Sequence, residues 1–552
     1  MIEPVKRLTI LAVVLVLALL ASGAWLLWPV QIMVMAYRLT HPVAPNQPVR
    51  WAQGPARQPP GERPPNIVLI LADDLGINDI TAEGPGTGIA RKAPTPNIDA
   101  IAREGADFTV AYCGNATCSP SRAALLTGRY PQRFGFEFTA VPDQLAKYVP
   151  RYSPRNRPYP TIYHAELEDQ VPSMARMGMP GSEVTIAELL KARGYHTLHL
   201  GKWHLGEARG MRPEDQGFDE SLGFMAGASK YAPDNQAIGA KLPGDPLDRL
   251  LWLGLSNGVQ FNGSRPFHAS EYMTDYLSDQ AVAAIRANRN RAFFLYLAYN
   301  APHSPYQATK ADYDAVGKMS DERTRVYAAM VRALDRGVGK VMSALKTTGL
   351  DRNTIVIFTN DNGGAWYAGL RTINRPYRGW KGTFFEGGIR VPFFVRWPGH
   401  IAAGQRIRMP TEQMDVLPTL AALAGAPLPS GRRIDGMNLL PFIAHQEVPP
   451  PHRVFFWRSG GYEAVRDGDW KLQVSRNPQR IWLFDLAADP TERSDLSRRR
   501  PDLVQRLRVE LVAHDRELAK PLWPALLEEP IRIDVPADAP WLPGQEYVYW
   551  PN

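Results

Sequence analysis

The stretch Thr117-Cys118-Ser119-Pro120-Ser121-Arg122-Ala123-Ala124-Leu125-Leu126-Thr127-Gly128-Arg129 brings a sulfur, hydroxyls and a guanidinium close together. Pro120, between small polar residues and an Ala/Leu run, belongs in the first turn of a helix, with Ser119 as the expected N-cap and Gly128 as its end. Cys118 then stands at the mouth of a helix N-terminus, where free N–H groups and the positive dipole end attract anions. Arg122, one turn on, is expected to fold back and fork two oxygens of a tetrahedral anion. Taken alone, Cys-x-Pro-x-Arg reads equally as a buried cysteine beside a cap.

Further chemistry-bearing residues sit at four other places. Asp73 and Asp74 are adjacent carboxylates, which repel unless a cation or an arginine lies between them; in isolation they read as a solvated turn. Asp361 and Asn362 supply oxygens that can join Asp73 and Asp74 around a hard cation. No His/Cys cluster with zinc spacing accompanies them. Calcium is therefore the first choice and magnesium the second. Lys202 and His204 alternate along what reads as extended chain and so point the same way, offering a charge and a titrating base. His303, fixed between Pro302 and Pro305, is placed to act as a general acid; His268 is a weaker rival. His196 and His199 carry no motif and are left as structural, and Ser229 and Lys230 are too loosely placed to assign.

The elements that must position these groups are legible as apolar runs. Asn66–Ala72, Tyr195–Leu200, Arg291–Tyr299 and Thr354–Thr359 read as buried strands of a central sheet. Asp73, Lys202, His303 and Asp361 each follow such a strand, which is where open α/β sheets hold ligands. Ser182–Arg193 reads as an amphipathic helix closed by Gly194. From about Pro449 the pattern changes to short strands with a turn at Asp467-Gly468-Asp469, followed by a helix over Leu503–Leu518.

In order, Asp73-Asp-Leu-Gly76, Thr95-Pro-Asn-Ile-Asp99, Cys118-Ser-Pro-Ser-Arg-Ala-Ala-Leu-Leu-Thr-Gly-Arg129, Gly201-Lys-Trp-His-Leu-Gly206, Ala301-Pro-His303, Asn360-Asp-Asn-Gly363, Lys381 and Glu386-Gly-Gly-Ile-Arg-Val-Pro392 resemble the blocks of the type I sulfatases. These are arylsulfatase A-like members of the alkaline-phosphatase superfamily, and the likeness runs from Pro65 to Ser497. It implies an α/β sandwich with a large central mixed sheet flanked by helices, plus a small C-terminal antiparallel sheet and helix. It implies hydrolysis of sulfate monoesters, of aryl or sugar alcohols, by S–O cleavage. In that family the motif cysteine, here Cys118, is converted by a maturation enzyme to Cα-formylglycine, whose hydrate is the nucleophile. The carried-over catalytic residues are Cys118, Arg122, Lys202, His204, His303 and Lys381; the metal ligands are Asp73, Asp74, Cys118, Asp361 and Asn362. Asp361 is expected to take the nucleophile's proton, His303 with Lys381 to protonate the leaving alcohol, and His204 to expel sulfate. The alternatives are a phosphate or phosphonate ester hydrolase with the same nucleophile, and a membrane-tethered glycan-binding protein with a dead site.

The chain of 552 residues carries 63 Lys and Arg against 55 Asp and Glu, for a net charge of +8. It has no long basic run interleaved with aromatics, so nucleic-acid binding is not expected. Its two cysteines, Cys113 and Cys118, could pair, but they make no disulfide scaffold. After Lys6 and Arg7 an uncharged run from Leu8 to Tyr37 is long enough to cross a bilayer, and Ala21–Ala24 offers a rival cleavage site. The expected organisation is an anchor or signal peptide over 1–37, a Pro-rich linker over 38–64 lifting the domain off the membrane, a catalytic domain over 65–445, an α+β subdomain over 446–520, and a Pro/Trp-rich tail over 521–552 with no assigned role. The catalytic domain is placed on the non-cytoplasmic side, periplasmic or extracellular, and secreted if the N-terminus is cleaved. Insertions over 139–180 and 227–264 are expected to carry specificity.

Overall fold

A computed structural model describes residues 29–58, 63–82, 88–140, 146–147, 149–150, 157–242, 245–444 and 451–551. Its centre is a ten-stranded sheet in the order Gln405–Ile407, Ala106–Phe108, Phe393–Arg396, Thr354–Asn360, Asn66–Ala72, Phe293–Ala298, His196–Lys202, Glu220–Phe224, Gly258–Phe261, Phe267–His268. The five strands from Thr354–Asn360 to Glu220–Phe224 are mutually parallel, and antiparallel pairings flank them. The sheet is therefore mixed, as the resemblance implies.

Asn66–Ala72 shows why the sheet is sandwiched. All seven residues are buried, and alternate side chains leave opposite faces. Val68, Ile70 and Ala72 join one apolar core, and Ile67, Leu69 and Leu71 join another. On the first face the helix Glu322–Thr347 packs with Met273–Ala287 and Pro96–Arg103; on the second, Cys118–Thr127, Ile186–Ala192 and Val416–Leu423 pack together.

Several sequence expectations shift. The helix expected from Ser182 starts at Ile186, because Thr185 and Glu188 close a reciprocal capping box there. The described part of the 227–264 segment, expected as an insertion, carries regular secondary structure. It forms the helix Pro246–Gly254 and the strand Gly258–Phe261, which extends the sheet beside Glu220–Phe224. The described part of the 38–64 segment does not stand off as a linker. Trp51 is buried, edge-on to Phe261, and Gly54 N–H donates to the Ala287 carbonyl, so the segment lies along the sheet edge.

The C-terminal part forms a four-stranded antiparallel meander, Val454–Ser459, Tyr462–Asp467, Trp470–Arg476 and Gln479–Asp485, backed by the helix Pro501–Asp515. Its Phe455, Trp457 and Tyr462 share the core of the main sheet. The tail folds as a hairpin of Leu527–Arg532 and Tyr547–Pro551, which pairs with Ile162–Tyr163.

Most of the expected N-terminal anchor, residues 1–28, lies outside the described residues. Among the described residues no helix is long and apolar enough to cross a membrane. Residues Pro29–Thr40 form a helix packed on Pro246–Gly254, with Arg38 Nη2 donating to the Leu253 carbonyl at 2.7 Å.

Candidate active site

The candidate groups converge above the C-terminal ends of the parallel strands. Asp73 and Asp74 follow Ala72, Lys202 ends its strand, His303 lies just past Ala298, and Asp361 and Asn362 follow Asn360. Loops leaving those strand ends are free of the sheet's hydrogen bonding and can carry polar groups.

Cys118 is the first residue of the helix Cys118–Thr127. The N-cap is Thr117, in extended conformation, and not Ser119; the Ser119 hydroxyl is buried inside the first turn without a hydrogen-bond partner. Gly128 closes the helix with φ 66°, a left-handed turn that a glycine takes without strain. Every residue of this helix is buried, so Cys118 is held rigidly. Cys113 and Cys118 are both free thiols, and no disulfide forms.

Around the sulfur, Lys381 Nζ lies 3.0 Å from Sγ, and Asp73 Oδ1 lies 3.6 Å from it. The carboxylate against Sγ is thus Asp73 rather than the Asp361 expected from sequence. Lys202 Nζ donates to Asp73 Oδ2 at 2.7 Å. Lys381 Nζ also reaches Asp74 Oδ1 at 2.9 Å and His303 Nε2 at 3.3 Å. Asp74 adopts φ 60°, a strained conformation for a residue with a side chain, and its N–H donates to Asp361 Oδ1.

Arg122 departs from expectation. Its Nε and Nη2 both donate to Asp361 Oδ2, at 2.9 and 2.8 Å, and Nη1 donates to the Lys202 carbonyl at 3.0 Å. Fully buried, it clamps the carboxylate beneath the site instead of lining the cavity.

Lys202 and His204 do not continue one extended run. The strand stops at Lys202 and His204 takes φ 60°. His204 nevertheless faces the cavity, and a Cβ on Gly227 would lie 2.6 Å from its Nε2, so a glycine there makes room for the imidazole. His303 Nδ1 faces the Ser304 carbonyl, an acceptor only. Nδ1 therefore carries the proton, and in the neutral ring Nε2 is an acceptor toward Lys381.

Charge follows from this packing. Burial, with the negative Asp361 nearby, pushes the Asp73 carboxyl well above the usual range despite Lys202. Burial would also raise Asp74, but Lys381, His303 and Lys202 outweigh it and hold Asp74 at about 2. Burial opposes the charge on Lys381, yet Asp74 and Cys118 keep its ammonium protonated well above the ordinary range. Burial, then the charges of Lys202 and Arg122, drive His204 well below the usual histidine range. Burial lowers His303 against the pull of Asp74.

Oxygen donors for a cation come from Asp73, Asp74, Asp361 and Asn362. The Asn362 Oδ1 is buried and has no hydrogen-bond partner, while its Nδ2 donates to Asp74 Oδ1 at 2.7 Å. One ligand atom each from Asp73, Asp74, Cys118 and His303 also lies within 4.8 Å of the others. An orphaned amide oxygen among crowded carboxylates fits a hard divalent cation.

Cys118, His204, His303 and Lys381 open onto one cavity of about 340 Å³. Tyr367, which no motif marked, lies beside them. Its hydroxyl is 3.2 Å from Asp74 Oδ2, 3.2 Å from Lys381 Nζ and 3.3 Å from His303 Nε2. Leu527, Glu529 and Trp550 of the tail also line the cavity, as do Thr139, Val149, Arg157 and Met174 of the 139–180 segment. Ser229 and Lys230 do not line it; Ser229 donates to main-chain carbonyls and Lys230 pairs with Asp234. His268 bonds Asn257 on an edge strand, and His199 is buried against Trp203.

The sulfatase family model matches residues 65–426, and the model for the C-terminal part of N-sulphoglucosamine sulphohydrolase matches residues 379–517. The chain is 34% identical over 538 residues to a steryl-sulfatase of Mus musculus, covering 81% of this chain and 80% of that protein. It is 35% identical over 419 residues to an N-acetylgalactosamine-6-sulfatase of Rattus norvegicus, covering 75% and 72%. It is 35% identical over 447 residues to arylsulfatase A of Homo sapiens, covering 78% of each. The crystal structure of Ps i-CgsB in complex with k-i-k-neocarrahexaose superposes with a TM-score of 0.69 at 34% identity, covering 84% of this chain and 95% of that one.

Proposed function

Because this chain belongs to the sulfatase family and is a sulfuric ester hydrolase, we propose that residue 118, after conversion of Cys118 to formylglycine, attacks the sulfur of a sulfate monoester in the cavity. The observation that carries this is the convergence of Asp73, His303 and Lys381 on one buried helix-start cysteine. A divalent cation held by Asp73, Asp74, Asp361 and Asn362, calcium first and magnesium second, would supply Lewis-acid stabilisation of negative charge.

The chain's own groups account for the proton traffic. The attacking hydroxyl of the hydrated residue 118 gives its proton to a carboxylate, and the position of Asp73 Oδ1 against Sγ favours Asp73 over Asp361. Arg122 holds Asp361 ionised and in place. As the S–O bond to the alcohol breaks, the leaving oxygen takes a proton from the Lys381 ammonium, with His303 Nε2 positioned beside it. Lys202 and Lys381 place positive charge under the developing negative oxygens. His204, kept neutral by its surroundings, then takes the proton of the second hydroxyl of residue 118. The C–O bond to sulfate breaks and the aldehyde returns.

The test is the mass of the peptide spanning residue 118 from protein made in its own host, together with turnover of an aryl sulfate and of the aryl phosphate with the same leaving group. A loss of about 18 Da relative to the thiol, with sulfate preferred, is expected. An intact thiol in protein that hydrolyses no sulfate ester overturns the assignment. We also propose that the uncharged run Leu8–Tyr37 tethers the domain on the non-cytoplasmic side; recovery of full-length protein in the soluble fraction with an intact N-terminus would contradict it.

A further inference from the structure

The tail hairpin of Leu527–Arg532 and Tyr547–Pro551 lies beyond both family matches, which end at residues 426 and 517. Its side chains and carbonyls meet the loop 377–385, which carries Lys381. Trp380 Nε1 donates to the Arg532 carbonyl at 3.0 Å. Arg378 donates from Nε to Asp534 Oδ1 at 2.9 Å, and from Nη2 to Asp534 Oδ2 at 2.7 Å and to Glu546 Oε2. A Cβ on Gly382 would lie 2.6 Å from Ile531 Cδ1 and 3.2 Å from Trp550 Cγ, so both side chains rest directly on the backbone beside Lys381. Tail contacts therefore flank the lysine on both sides along the chain.

The same tail reaches a second segment of the site. Arg532 is 2% exposed, and its guanidinium donates to the carbonyls of Pro536, Ala539 and Pro540. The turn tied in this way presents Ala537, whose N–H donates to the Trp366 carbonyl at 3.1 Å. Trp366 precedes Tyr367, whose hydroxyl lies 3.2 Å from Lys381 Nζ. The catalytic domain holds the lysine's backbone independently. Lys381 N–H donates to the Gly364 carbonyl at 3.0 Å, and Gly382 N–H donates to the Ala116 carbonyl, two residues before Cys118, at 2.8 Å.

A lysine ammonium stands on a flexible four-carbon stem, so its place is set by the backbone that bears it and by its partners. A misplacement of about 1 Å at a reacting group costs about 10²-fold in rate. Resting on the sulfatase reading above and on the part of Lys381 in it, we infer that the tail is a positioning element of the reaction. Asp534, Glu546 and Ile531 hold Arg378 and Gly382, and through them they fix Lys381 Nζ against residue 118.

The experiment is a mutant cycle on the mature full-length enzyme, read as kcat/KM on phenyl sulfate, with p-nitrophenyl sulfate as the probe of sulfatase competence. Asp534→Asn with Glu546→Gln removes both charges from Arg378. The two carboxylates are 41% and 33% exposed, so neutralising them is expected to leave the fold intact. In the wild-type background the pair is expected to lower kcat/KM at least about tenfold. In the Lys381→Ala background it is expected to lower it less than about twofold, because the tail acts through that lysine. An equal loss in both backgrounds means that the tail supports the fold alone and overturns the proposal, as does no loss in either. Ile531→Ala, which leaves the ion pairs in place, is read in the same cycle and decides the matter where the double variant fails to fold. Mature wild-type enzyme inert on every sulfate ester overturns the sulfatase reading itself; a competent wild type with additive losses overturns this inference alone.

Discussion

Arg122 donates two hydrogen bonds to a single oxygen, Oδ2 of Asp361, across a sequence separation of 239 residues. Both side chains are fully buried. The arginine thereby sets the position of a candidate metal ligand and does not itself face the cavity. Arg122→Lys keeps the charge but loses the planar fork. It is expected to lower kcat/KM by at least about a hundredfold and to lower the thermal midpoint, since disrupting a buried ion pair costs about 3–5 kcal/mol. Steady-state kinetics and a melting curve on the same preparation check both; an unchanged midpoint with normal activity would contradict the role.

Lys381 is the group best placed to protonate the departing alcohol. Lys381→Ala is expected to cost about 10²–10⁴ in kcat on an alkyl sulfate. The loss should be smaller on p-nitrophenyl sulfate, whose phenolate leaves without a proton. Equal losses on both esters would assign Lys381 to charge neutralisation alone.

His204 acts as a base only when neutral. Burial and the charges of Lys202 and Arg122 lower its protonation range, so the neutral form persists as the pH falls below the ordinary histidine value of about 6.5. The acid limb of kcat is therefore expected well below that value. His204→Ala should release a burst of alcohol and then turn over slowly, because the step it serves follows S–O cleavage. Rapid-quench kinetics with a chromogenic ester distinguish this from a uniform loss of rate.

His199 predicts how stability responds to acid. Burial holds its imidazole at about 3 in the folded chain, against about 6.5 unfolded. Between those values the unfolded chain binds a proton that the folded chain does not, so stability is intact above about 6.5 and falls as the pH drops. At pH 4 this one group removes about 3 kcal/mol. Melting curves from pH 7 to pH 4 should show a shallower decline for His199→Gln than for the parent.

Chelation tests the oxygen ligand set. EDTA treatment is expected to abolish sulfatase activity, with recovery on adding calcium and lesser recovery with magnesium, as carboxylate and amide oxygens prefer hard cations. Asn362→Ala, which removes the orphaned amide oxygen, should raise the metal concentration needed for half-recovery by about 10-fold or more. Activity untouched by exhaustive chelation would contradict the ligand assignment.

The sequence by itself determined the parallel strands, the polar turns at their C-terminal ends and the identities of Asp73, Asp74, Cys118, Lys202, His204, His303, Asp361, Asn362 and Lys381 as candidates. The strand and helix signals are local, since an apolar run followed by a polar block, or a proline-started helix, is written in neighbouring residues; Lys381 is marked only by the likeness to the sulfatase blocks. Only the tertiary structure decided which carboxylate meets the sulfur, that Arg122 serves Asp361, that Thr117 stands at the N-cap position, and that Tyr367 joins the site. It also decided that Trp51 and its segment lie against the sheet edge, and that a tail with no sequence signature contributes Leu527 and Trp550 to the cavity. The physical reason is that side-chain direction and long-range pairing depend on how layers dock. A salt bridge between residues 122 and 361, or a hairpin closing over a distant helix start, leaves no periodicity in the chain.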